Sequence, residues 1–108
     1  METIEIKGQE LLSDSERKIV EEKVKKYSEK IRHWINNDFY LRVLIRAHNK
    51  NEDNKNKRKK YSIDLEISGE IPRMNASAFD WDLSKALNGA FQALLNEIEH
   101  RLHVSEKS

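Results

Sequence analysis

The chain of 108 residues contains no cysteine. That excludes disulfides, a thiolate nucleophile and any cysteine-based zinc site. Proline occurs once, and the three glycines (Gly8, Gly69, Gly89) do not cluster, so there is no glycine-rich phosphate loop and no nucleophile elbow. A His-Glu metal signature is missing as well. Aromatic residues make up only 7% of the chain. No apolar run approaches the ~18 residues of a membrane span, and Met1–Glu5 lacks the basic-then-apolar pattern of a secretory leader. These absences set the expectations: not an enzyme, no cofactor, no metal, no small-molecule substrate, no membrane, and a cytoplasmic location.

What is present is charge. Charged residues make up 36% and hydrophobic ones 37%, which suits one soluble domain with a modest core. The net charge of +1 hides an asymmetry. Residues 1–60 hold 16 Lys/Arg against 11 Asp/Glu, a balance of +5, whereas residues 61–108 hold 4 against 8, a balance of −4. A concentrated positive field is the footprint of a polyanion binder, although basic helices also serve simply for solubility.

The hydrophobic pattern predicts six elements. Thr3–Lys7 alternates as a short strand that Gly8 ends. Ser13 and Glu16 have capping-box spacing, so a helix starts there. Its apolar stripe is Ile19, Val20, Val24, Tyr27, Ile31, Trp34 and Ile35, and Asn36-Asn37-Asp38 stops it. Phe39–Ala47 alternates as a strand, Asn49–Lys60 reads as a polar loop, and Tyr61–Ser68 alternates again. Ser68-Gly69-Glu70 predicts a turn. Ile71–Ala78 predicts a last strand with Pro72 near its start, and with Met74, Ala76 and Ala78 facing inward. Asp82 is an N-cap for a second helix, and Trp81 before it is a hydrophobic staple onto Ala86. Leu83, Leu87, Ala90, Phe91, Leu94, Ile98 and Leu102 form the inward stripe of that helix, with Gly89 implying a close approach to another element. The expected architecture is α+β, β-α-β-β-β-α: a two-layer sandwich with two helices on one face of a four-stranded, mostly antiparallel sheet. The domain spans 1–104 and a flexible tail 105–108.

Three segments carry a family resemblance: Ile4-Glu5-Ile6-Lys7-Gly8; the helix Ser13–Tyr27 with Arg17, Val20, Lys23 and Lys26; and Asp82-Leu83-Ser84-Lys85-Ala86-Leu87-Asn88-Gly89. In their order and spacing they resemble the ribosome hibernation promoting factor, or ribosome-associated inhibitor, family (the sigma-54 modulation family) over nearly the whole chain. The resemblance implies a topology like that of double-stranded-RNA-binding domains and no cofactor or catalysis. It also implies binding to the small ribosomal subunit around the mRNA–tRNA channel, which silences or preserves idle ribosomes under stress. It implies a short-form, monomeric member. The chain departs from the family in its second helix, where Ala93 and Asn96 replace residues that are often basic and Glu97 and Glu99 add negative charge. The basic connection 49–60 is longer than the family's.

The candidate phosphate contacts are then Lys23, Lys26 and Lys30, on one helical face by spacing; Lys55, Lys57, Arg58, Lys59 and Lys60, the densest basic run; and Lys85 and Arg101 on the second helix. Against each stands a solvated, structural role. Arg42 and Arg46 favour cross-strand pairing with Asp64 or Glu66 over base contact, with Tyr40 the one aromatic placed for stacking. His100 and His103 have a metal-compatible spacing but no third ligand. Asp80 and Asp82 read as helix-start carboxylates rather than a catalytic pair, and Trp34 and Trp81 as core or core edge. Two other functions fit the sequence: a diverged member that contacts protein through an acidified second helix, and a general double-stranded RNA binder.

Overall fold

The structure, a computed structural model, describes residues 3–50 and 58–102, with the side chains of Asn49, Lys50 and Arg58 excepted. The elements are strand β1 (Thr3–Lys7), a 3-10 turn (Gln9–Leu11), helix α1 (Asp14–Trp34), strands β2 (Phe39–Lys50), β3 (Arg58–Gly69) and β4 (Met74–Asp80), and helix α2 (Leu83–Leu102). The strands lie in the order β1-β2-β3-β4. β1 pairs parallel with β2, and α1 supplies the crossover that a parallel pair requires. The other two pairs are antiparallel. The expected two-layer α+β arrangement, with both helices on one face of the sheet, is the observed one.

Alternation decides which face is buried. Leu41, Val43 and Ile45 of β2 are buried with Ile63, Leu65 and Ile67 of β3 and Met74 of β4. Val20, Val24 and Ile31 of α1, with Leu87, Ala90, Phe91, Leu94 and Ile98 of α2, cover them in one cluster. Both expected helical stripes are therefore the core faces.

The ends of α1 follow from side-chain chemistry. The Ser13 hydroxyl accepts from the Glu16 backbone N–H at 3.3 Å, and the Glu16 carboxylate accepts from the Ser13 N–H at 2.8 Å, a complete capping box. At the other helix, Asp82 Oδ1 accepts from the Lys85 N–H at 3.0 Å, and Asp80 Oδ1 accepts from the Asp82 N–H at 2.9 Å. Both aspartates thus build the β4–α2 corner, as their positions suggested. Gly89 packs as expected: a Cβ there would sit 3.3 Å from the Ala78 Cβ on β4.

Four expectations need correction. Asn49–Lys60 is not wholly a loop. The ladder continues through His48↔Lys60, Asn49↔Lys59 and Lys50↔Arg58, because backbone pairing needs no apolar side chains. The last strand begins at Met74 rather than Ile71, since Pro72 has no N–H to donate and lies in the turn. The Ser68-Gly69-Glu70 turn falls later, because Ser68 and Gly69 stay paired with Tyr40 and Phe39 of β2 and β3 runs through Gly69. Trp81 is not core: it is 37% exposed and lies outside the buried cluster, held at the surface between the two corner aspartates, whereas Trp34 packs at the core edge. The proposed tail 105–108 lies outside the described residues.

Candidate nucleic-acid interface

The expected basic stripe forms on α1. Lys23 and Lys30 are half-buried and Lys26 is exposed, and the three span seven residues, about 10 Å along the helix. Two of the ammonium groups are backed by aromatic rings. Lys26 Nζ lies 5.3 Å from the Tyr27 ring centroid, and Lys30 Nζ lies 5.8 Å from that of Trp34. Contacts of this kind are worth about 0.5–1 kcal/mol at exposed sites and restrain otherwise free side chains. Tyr27 is itself fixed: it stacks on Phe91 of α2 at 4.7 Å, and its hydroxyl donates to Asn88 Oδ1 at 2.9 Å. The stripe is thus registered against the second helix.

The start of α1 is tied to the sheet by a second tyrosine, whose hydroxyl (Tyr61 on β3) donates to the Glu16 carboxylate. Burial pushes the Tyr61 hydroxyl up, and the hydrogen bond to Glu16 and the charges of Glu16 and Asp82 add to it, reaching about 12. For Glu16, burial acts upward but is outweighed by the Ser13 N–H, the Tyr61 and Ser13 hydroxyls and the nearby Lys59, so its carboxyl sits below the usual range. The tyrosine's folded value is raised above its unfolded value near 10. Its contribution is therefore full below about pH 10 and disappears as pH climbs through about 12. Tyr61→Phe should cost about 1 kcal/mol at neutral pH in urea unfolding. The gap from the parent protein should hold to about pH 10 and close toward 12. A gap that is constant with pH would show that the hydroxyl–carboxylate bond is not the cause.

The second helix contributes little. Lys85 is exposed in its first turn, and Arg101 near its end has Nη1 3.7 Å from Glu97 Oε2. They are about 24 Å apart along the helix, so the structure does not bring them together. The dense basic run is also divided. Lys59 faces the helix side, near Glu16, whereas Lys60 faces the open side of the sheet. Lys55 and Lys57 lie outside the described residues, as does the side chain of Arg58, whose backbone is in β3.

On the open sheet face the arginines are paired, as expected. Arg42 approaches Glu5 and Glu66, each at 3.8 Å, Arg46 approaches Asp64 at 4.0 Å, and Arg73 holds Glu66 at 3.2 Å. The Tyr40 hydroxyl donates to Glu5, which keeps that ring from swinging free. The residue that sequence reasoning missed is Phe79, 65% exposed on this face. Its signal was the continued alternation Asn75, Ser77, Phe79. His100 is exposed, and His103 lies outside the described residues. Among the described residues no cluster of three or more His, Asp or Glu could hold a metal ion, and no helix is long and apolar enough to cross a membrane.

Fold and face together define a small α+β domain with a lysine-bearing helical ridge on one side and a charge-paired sheet on the other. No protein-family model matches the chain, and no curated protein matches it. Among solved structures it is similar to a ribosomal subunit interface protein from Coxiella burnetii, with a TM-score of 0.61 over 95% of this chain and 99% of that one, at 19% sequence identity. At that identity the likeness is one of fold.

Proposed function

We propose that this protein is a ribosome-binding factor that inhibits translation by occupancy. Its domain would sit in the mRNA–tRNA channel of the small subunit and hold rRNA phosphates through Lys23, Lys26 and Lys30. Lys85, Arg101 and the basic residues 55–60 would lie at the margins of the contact. The observation that carries the reading is full-length structural likeness to a ribosomal subunit interface protein, with the α1 lysines held on one ridge. A domain of this kind can act in this way as a plug, as a monomer and without a cofactor. Phosphate contacts release condensed counterions, so affinity falls steeply with salt.

Co-sedimentation of the protein with purified small subunits, at low and high salt, is the direct test. Binding that weakens strongly with salt is the expected result, and no binding at any salt would remove the proposal. Affinity for any RNA duplex, with no preference for ribosomes, would point instead to general double-stranded RNA binding.

A further inference from the structure

The open face of the sheet ends, beside the β2–β3 connection, in a patch that the basic ridge does not use. Strand register assembles it. Arg46 and His48 of β2 lie opposite Ser62 and Lys60 of β3, and Ser62 lies opposite Phe79 of β4. A lone exposed phenylalanine needs no explanation; the surroundings of this one do. Lys60 Nζ stands 4.0 Å from the centre of the ring. Arg46, Ser62, Asp64 and Ser77 line a shallow depression at its side.

These parts match an unpaired nucleobase. A base has a flat face, a polar edge and a phosphate one bond chain away. Phe79 offers the flat partner, Ser62 and Ser77 offer hydroxyls at the edge, and Lys60, Arg46 and His48 offer positive or chargeable groups for the phosphate. Among the described residues that line the depression the one acid is Asp64, whose 4.0 Å pairing with Arg46 is between exposed groups and is therefore easily exchanged for a phosphate. A protein partner would call for a contiguous apolar patch, yet the strand neighbours of Phe79 are Ser62, Lys60 and Ser77, and the exposed Trp81, two positions on, lies past the end of β4.

We infer that Phe79 forms a stacking site for an unpaired RNA base, with Lys60, Arg46 and His48 taking the adjoining phosphate. The choice of RNA rests on the ribosome-binding reading above. The site is on the face opposite the lysine ridge, so one bound domain would touch RNA on both sides.

The full chain is titrated by fluorescence anisotropy with a labelled, unstructured RNA of about ten nucleotides and with a duplex of similar length. Phe79→Ala should weaken single-strand binding about tenfold and leave duplex binding unchanged. Phe79→Trp should restore it, because stacking needs a ring rather than phenylalanine itself. Lys60→Gln should lower the salt slope by about one. Single-strand binding indifferent to residue 79, as a protein-docking face would give, overturns the inference. So does equal loss on strand and duplex, or failure of the tryptophan variant to rescue. Ribosome co-sedimentation run in parallel separates the two readings. Oligonucleotide binding that depends on Phe79 without ribosome binding sinks the proposed function and leaves this site standing. Ribosome binding with oligonucleotide affinity indifferent to residue 79 does the reverse.

Discussion

Replacing Lys23, Lys26 and Lys30 together by glutamine should weaken binding to small subunits by about ten- to a hundredfold near 0.1 M salt, and should lower the slope of log affinity against log salt by about two to three. The three side chains share one ridge of α1, and the two over aromatic rings reach a phosphate with little freedom left to lose. The slope is the more telling measurement, because a change of shape would shift affinity without changing the number of counterions released. Stability should barely move. The lost cation–π contacts are worth about 0.5–1 kcal/mol each at most, and no core group is touched. Unchanged sedimentation and slope, with the fold intact by circular dichroism, would show that the ridge is only a solvated face.

Gly8→Ala should be the most damaging single substitution away from the core, at about 4 kcal/mol or more in urea unfolding. Two penalties act together. Gly8 has φ +99°, which a residue with a Cβ adopts only at a cost. The added Cβ would also lie inside the Ile45 carbonyl oxygen, 3.0 Å from the Ile45 carbonyl carbon and 3.2 Å from its Cβ. That obstacle is strand backbone in the centre of the sheet, which cannot move aside. The chain leaves β1 at this glycine and crosses above β2 to start α1, so relief would shift the start of the helix that carries the lysines. The expected result is a lower urea midpoint with an unchanged slope, or failure to fold. A loss under 1 kcal/mol would mean that the β1–α1 junction is more pliant than the packing implies.

Most of the fold was legible in the chain itself. Ser13 and Glu16 announced the start of α1 because a capping box is a local exchange of hydrogen bonds within four residues. The buried strand faces followed from period-two alternation and the helical faces from steps of three and four, each a direct consequence of backbone geometry. Glycine at position 8 and close packing at Gly89 were visible as residue types, though their partners were not. One error fell where the signal is not apolar. The polar ends of β2 and β3 lack an apolar pattern, and only pairing to each other makes them strands.

The candidate site divides along the same line. Sequence alone determined that Lys23, Lys26 and Lys30 share a helical face, because that depends only on the pitch of one helix. It also determined that Arg42 and Arg46 project from one side of their strand. Tertiary structure alone decided the rest. It set Tyr27 against Phe91 and so fixed the ridge beside α2. It sent Lys59 and Lys60 to opposite faces, dividing what reads as one basic run. And it brought Phe79, nineteen positions further along the chain, to lie under Lys60. The physical reason is range: helix pitch and strand alternation act between near neighbours, whereas strand register and helix packing join residues whose separation in sequence carries no information about their distance.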